Sequence, residues 1–173
     1  MTAEEAIKTA IKYEKKVFQT YIDAVRDAGE EGAKKFFQLM AEEEKSHVDY
    51  LEAALAKWQQ EGKIDSCELG TAIPDAGLIA EGYARLKGEM AGKDTDECFG
   101  SDITALRKAL DAEEETSAFY RKMVDELTDD ARKLFRRFLE IEDGHRAIVE
   151  AELDATEQNG FWFDCREFNQ ELD

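Results

Sequence analysis

With 173 residues, 43% of them hydrophobic, 37% charged and a single proline, the chain is long enough for a packed core and has the composition of long helices with solvated outer faces. A formal charge of -18 repels phosphate backbones and anionic bilayers, so nucleic acid and membrane partners are excluded and cations are favoured. No apolar run reaches the roughly 20 residues of a membrane span, and MTAEEAIK does not read as a signal peptide, so a cytoplasmic protein is expected.

Thr2 followed by Glu5 is a capping-box pattern, and a first helix is predicted from there to Ala28-Gly29. Its inward stripe is Ile7, Ala10, Glu14, Val17, Tyr21 and Ala24, in which Glu14 is the one charge. A second helix runs from about Glu31 to about Gln60, closed by Gly62, with Phe37, Met40, Glu44, His47, Leu51 and Trp58 on its stripe. Between Lys63 and Gly100 six glycine or proline positions break the pattern. This stretch reads as a long crossover, with room for a short helix between Leu78 and Met90. Ser101 or Asp102 caps a third helix with the stripe Ile103, Leu106, Leu110, Glu113, Ser117, Tyr120, Val124 and Leu127. Thr128 caps a fourth that continues to about Glu157 before Asn159-Gly160, with Phe135, Phe138, Glu142, His145 and Val149 facing inward. Phe161, Trp162 and Phe163 of the tail are expected to pack on the bundle. Cys67, Cys98 and Cys165 are odd in number, far apart and never spaced Cys-x-x-Cys, which points to reduced thiols rather than disulfides or a thiolate metal site.

The two halves repeat. Ala33, Lys35, Phe37, Glu44, His47 and Leu55 align without a gap on Ala131, Lys133, Phe135, Glu142, His145 and Leu153, and Glu14 with Tyr21 aligns on Glu113 with Tyr120. Two hairpins joined by a crossover make an antiparallel four-helix bundle with internal pseudosymmetry. The chain has two histidines, each with a glutamate three residues before it. Glutamate is 25 of the 173 residues, too few for that coincidence to be common by chance. A lone core histidine is ordinarily a hydrogen-bonded structural residue and a lone helical glutamate is ordinarily solvated. Four glutamates and two histidines on inward stripes are covered by neither explanation. Ionised carboxylates in a dry core repel one another unless some hold protons or a counter-charge is present. Two divalent cations would balance the four carboxylates. Glu42, Glu43, Glu114 and Glu115 turn away from the stripes and read as solvated face.

Glu-x-x-His on two helices and a single Glu on each of the other two is the pattern that defines ferritin-like di-metal bundles. The chain resembles the rubrerythrin and ferritin-like di-iron carboxylate family over nearly its whole length, with LMAEEEKSHVDYLEA as the signature helix. The resemblance implies an all-α, ferritin-like domain over residues 1–173 with a short aromatic tail at 161–173. It implies that Glu44 and Glu142 bridge two metals, that Glu14 and Glu113 each bind one, and that His47 and His145 each add a nitrogen. An oxygen-rich set with one imidazole per metal suits Fe or Mn better than a closed zinc site, and iron is the expectation. The implied function is a di-iron oxidoreductase of peroxidase or ferroxidase type. It would bind two Fe ions, oxidise them with peroxide or O2, draw on an external electron-donor protein, and assemble as a homodimer or higher oligomer. The alternative is an iron-handling ferroxidase of the ferritin type. In the resembling proteins a phenol lies near the metals at the positions of Tyr21 and Tyr120. Read from the residues alone, either tyrosine is equally a core phenol bonded to a neighbour. Two departures stand out: no Cys-x-x-Cys pair is present for a rubredoxin-type domain, and Thr116 stands three after Glu113, where rubrerythrins carry a further glutamate.

Overall fold

A computed structural model describes residues 1–64, 100–159 and 162. They form four helices: α1 (Ala3–Asp27), α2 (Glu31–Glu61), α3 (Gly100–Glu126) and α4 (Asp129–Asn159). The predicted crossover, its short helix, the three cysteines, Phe161 and Phe163 lie outside the described residues.

Local chemistry accounts for most of the helix ends. Thr2 and Glu5 exchange the two bonds of a capping box. Gly62, at φ 66, ends α2 in the left-handed conformation and donates its N–H to Trp58 O at 2.8 Å. At α3 the expectation fails, because the helix starts at Gly100 and both Ser101 and Asp102 lie inside its first turn. The Asp102 carboxylate instead crosses to the turn between α1 and α2, accepting from Gly29 N at 2.9 Å and Glu30 N at 3.3 Å. Glu30, the N-cap of α2, makes no side-chain cap of its own, so the acceptor for this turn comes from a different helix. Thr128 precedes α4 as expected, and its carbonyl accepts from Arg132 N at 3.1 Å. Its hydroxyl, however, donates to the Asp129 carboxylate at 2.9 Å rather than serving the first helical turn.

α1 packs on α2, α3 on α4, and α1 on α3. The apolar side chains gather into two clusters. One joins the start of α1 (Ile7, Ile11) to the end of α2 (Leu51) and to the α3–α4 turn (Met123, Leu127, Phe135, Phe138). The other joins the end of α1 (Val17, Tyr21) to the start of α2 (Phe36, Phe37, Met40), the start of α3 (Leu106, Ala109) and Val149 of α4. The second and third helices therefore run in the same direction, and the chain leaves α2 at one end of the bundle and enters α3 at the other. Between the two clusters each helix contributes its inward charged residue, so the polar layer is closed above and below by apolar side chains.

The stripe read for α3 is broader in the structure. Ile103, Leu110 and Val124 are half-buried, whereas Ala109, Ala112, Phe119 and Met123 are buried. A helix that packs on both α1 and α4 buries two adjoining stripes, and a single run of threes and fours follows only one. Trp162 lies against Phe36 and Phe37, with ring centroids 5.8 and 5.7 Å away, at the end of the bundle that holds the α1–α2 turn. Glu42, Glu114 and Glu115 are exposed as expected, while Glu43 is half-buried. No helix among the described residues is long and apolar enough to cross a membrane.

Candidate metal centre

All six predicted residues lie on buried faces: Glu14, Glu44, His47, Glu113 and Glu142 have no exposed surface and His145 has 2%. Helical spacing delivers them. Glu14 stands one turn from Ala10 and from Val17, both fully buried, and the three-residue step from Glu44 to His47 or from Glu142 to His145 keeps carboxylate and imidazole on one side of the helix. Glu44, His47, Glu142 and His145 each offer one ligand-type atom, and the four atoms lie within 4.8 Å of one another. Glu14 adjoins this group, with Oε2 at 3.3 Å from His47 Nδ1. Glu44 lies between the two imidazoles, presenting Oε2 to His47 Nδ1 at 3.4 Å and Oε1 to His145 Nδ1 at 2.8 Å. Glu142 Oε1 approaches His47 Nδ1 to 3.5 Å. The imidazole rings stack, with centroids 5.2 Å apart and planes 16° from parallel.

The phenols cross between hairpins. Tyr21 of α1 donates its hydroxyl hydrogen to Glu113 of α3, and Tyr120 of α3 donates to Glu14 of α1. Each tyrosine thus bonds the glutamate of the opposite helix rather than the one on its own stripe, and both alternatives read from the sequence hold together: a core phenol with a bonded neighbour that is also a phenol beside the cluster. Tyr21 and Tyr120 occupy one carboxylate oxygen on each of the flanking glutamates; the other oxygen of each is buried, and that of Glu14 faces His47.

Oε2 of Glu14, Oε2 of Glu113 and both oxygens of Glu142 are buried with no hydrogen-bond donor among the described residues, and those of Glu44 meet only the two imidazoles, as ion pairs. A buried carboxylate oxygen without a partner costs several kcal/mol if ionised, on the order of the penalty for an unpaired buried charge. Protons answer part of that cost. Burial, then the charge of Glu44, pushes Glu14 up to about 8 and Glu113 up to about 7. Burial, then Glu14 and Glu44, raises Glu142 well above the carboxylate range. Glu44 goes the other way, since the attraction of His47 and His145 outweighs the upward push of burial and holds its carboxyl below the ordinary value. Burial alone would lower the histidines, but Glu44 and Glu14 carry His47 up to about 10, and Glu44 raises His145 as well. The cluster therefore binds protons where it lacks cations. Its acceptor-rich, inward-turned donor set fits a pair of divalent metals, which would take up the unpartnered oxygens and replace the protons.

Thr116, at the position of the further glutamate of rubrerythrins, is buried, and its hydroxyl donates to Ala112 O at 2.9 Å. Its oxygen is engaged with the backbone rather than with the cluster. Sequence reasoning missed Glu152 and Thr156, which are 1% and 3% exposed. They follow His145 and Val149 at steps of three and four, so extending the α4 stripe by two turns would have found them. Ser117, placed on the α3 stripe, is buried with its Oγ unpartnered among the described residues.

An all-α four-helix bundle whose buried Glu/His cluster fits a di-iron site is the class that fold and site define together. The family model for rubrerythrin matches residues 2–55, which covers α1 and most of α2 and includes Glu14, Glu44 and His47. The match over that stretch is consistent with a rubrerythrin and ferritin-like assignment. No curated protein and no solved structure matches the chain.

Proposed function

We propose that the chain is a di-iron carboxylate redox protein in which Glu14, Glu44, His47, Glu113, Glu142 and His145 hold two Fe ions. The observation that carries this reading is the gathering of Glu44, His47, Glu142 and His145 ligand atoms within 4.8 Å of one another, with further buried carboxylate oxygens of Glu14 and Glu113 that lack a hydrogen-bond partner among the described residues. When bound, the iron pair supplies two-electron reduction of peroxide or O2, the electrons being replaced by an external donor protein. Glu44, with one oxygen toward each imidazole, would serve both ions, with Glu142 as its pseudosymmetric counterpart. Glu14 and Glu113 would each give one oxygen to one metal while Tyr120 and Tyr21 fix the rotation of the carboxylate through the other. Burial, Glu14 and Glu44 raise the Glu142 carboxyl well above the carboxylate range, so cation binding would displace any proton that it holds. The apolar clusters on either side limit the entry of water to the layer and leave the reacting space dry. We infer a cytoplasmic protein that works as a homodimer or larger assembly.

Anaerobic titration with Fe(II), followed by exposure to H2O2 and to O2, tests the proposal. Uptake that stops near two irons per chain, with fast oxidation by peroxide and re-reduction by a donor, is the expected result. Uptake of many irons per chain would favour iron handling of the ferritin type instead, and failure to hold iron would end both readings.

A further inference from the structure

Four residues after each cluster glutamate, helical spacing returns a side chain to the flank of the same buried face. In the first hairpin these side chains are Phe18, after Glu14, and Val48, after Glu44. In the second they are Ser117, after Glu113, and Arg146, after Glu142. Phe18 packs on an apolar cluster and Val48 is buried. The repeat thus keeps its cluster residues and exchanges an apolar wall for a polar one on both helices of one hairpin.

Register sets that polar wall level with the cluster. Tyr21 bonds Glu113 and Tyr120 bonds Glu14, so the stretch of α3 from 113 to 120, with Ser117 inside it, spans the layer. The bridges from Arg107 to Glu157 at 2.6 Å and from Arg121 to Asp143 at 3.1 Å fix α3 antiparallel on α4 and bring Ser117 opposite Arg146 and its neighbours. Ser117 stands at equal steps of four between Glu113, which faces the cluster, and Arg121, which reaches α4, so its side chain points between the two. It is 2% exposed, and its Oγ has no hydrogen-bond partner, although α1, α3 and α4 are all described at this level. A helical hydroxyl has a ready acceptor in the carbonyl four residues back. Thr9, Thr20, Thr104, Thr116 and Thr156 each use it, at 2.7–2.9 Å. Ser117 does not, so its buried donor is turned to the layer with nothing on the protein to receive it. Across the seam Arg146 is half-buried and donates to Glu150.

We propose that Ser117 forms a subsite for hydrogen peroxide beside the Glu113 and His145 half of the centre, its hydroxyl donating a hydrogen bond to the guest, and that the Glu14 and His47 half, walled by Phe18, has none. This rests on the di-metal reading above. Peroxide suits the position better than O2, because it offers lone pairs to a hydroxyl donor and a nonpolar gas offers little. Ser117 binds and orients the guest, and supplies neither electron nor proton to it.

Protein loaded with Co(II) tests the subsite without turnover. The probe is azide, a small ion that accepts a hydrogen bond and shifts the visible absorption of cobalt when it binds. Two cobalt ions and one azide per chain are expected of the wild type. S117A keeps the space and loses the donor, so it should weaken azide roughly 3–10-fold at unchanged cobalt content. S117F copies the wall of the first hairpin and should exclude azide; if it sheds a cobalt ion, S117A alone decides. Equal azide affinity in S117A would overturn the proposal, as would no azide, or two, on the wild-type pair. With iron, S117A should slow oxidation by H2O2 more than oxidation by O2, and equal slowing would overturn the preference for peroxide. A wild type that holds no cobalt would end the di-metal reading and the subsite with it, whereas one that holds two ions and is indifferent to S117A ends the subsite alone.

Discussion

The first hairpin buries Glu14 of α1 with Glu44 and His47 of α2, and the second buries Glu113 of α3 with Glu142 and His145 of α4, yet the family model matches only within the first, residues 2–55. The second hairpin keeps the inward carboxylates, the imidazole, the tyrosine and the phenylalanine of Phe37 at Phe135. What it changes is the rest: Thr116 bonds its own backbone, Gly144 replaces Ser46, and the α3–α4 turn is built differently from the α1–α2 turn. Six side chains at one level constrain each helix at one or two positions per hairpin face, which leaves most of a hairpin free to drift while the chemistry is kept. Family likeness spread along a stretch and the identity of a site are thus separate properties of a chain.

If the hairpins are equivalent halves of one centre, the bridging positions should be the most costly to lose. Glu44→Ala and Glu142→Ala should each weaken both metals together and abolish rapid oxidation, because paired-metal chemistry draws on both ions at about 3.5–4 Å separation. His47→Ala and His145→Ala should each release one metal and leave the other tightly held by its remaining imidazole and carboxylates. Metal content per chain and stopped-flow oxidation rates measure both. A histidine variant that keeps two tightly bound irons and an unchanged rate would break the equivalence, and so would a Glu142→Ala variant milder than Glu44→Ala.

Much of this was legible in the sequence because it depends on periodicity within one helix. Glu14, Glu44, His47, Glu113, Glu142 and His145 are placed by steps of three and four from buried apolar neighbours, and the structure buries them all. Relations between helices were not legible in the same way. That Tyr21 bonds Glu113 rather than a group on α1 depends on how α1 slides along α3, which no spacing within either helix encodes. Asp102 looked like a cap for its own helix for the same reason, since an aspartate at a helix start is read locally and its partners at Gly29 and Glu30 are 73 and 72 residues away. The α3 stripe was drawn too narrow because the helix has two packing neighbours, and nothing in its sequence counts neighbours.

The protons in the metal-free cluster give the next test. Glu14 at about 8 and Glu113 at about 7 stand above their ordinary 4.5, so the folded state holds protons that the unfolded chain has released. Their contribution is complete below about pH 4.5 and is lost as the pH rises through 7 to 8. His47, raised from 6.5 to about 10, adds in the same direction over a higher interval. Glu44, held low, acts oppositely but only as the pH falls below 4.5. The metal-free protein should therefore lose melting temperature between about pH 5 and 8. The gain on loading should grow over that interval, because cations require the carboxylates ionised. Calorimetry of both forms across the range decides it. Parallel curves would mean that the carboxylates stay solvated, and a metal-free form that gains stability with pH would reverse the charge assignment.

The smallest expected effect separates the two hairpin turns. Asp102 is 1% exposed and accepts from two backbone N–H groups of the α1–α2 turn, where α2 has no side-chain cap of its own. Its aligned position in the first hairpin is Ala3, whose side chain offers the α3–α4 turn no acceptor, and there the Thr128 hydroxyl bonds the neighbouring Asp129 side chain at the surface. Asp102→Ala strands two donors and should cost about 1–2 kcal/mol, or roughly 2–8 °C in melting temperature for a chain of this size. Asp102→Asn keeps an acceptor oxygen and should recover part of that loss. Thr128→Ala removes an exposed contact and should stay within about 0.5 kcal/mol. Thermal melts of the three variants, compared in the metal-loaded form so that the cluster is constant, rank the turns. Equal losses for Asp102→Ala and Thr128→Ala would mean that both turns are braced alike, and the brace from α3 to the α1–α2 turn would then carry no special weight in holding Glu113 level with Glu14.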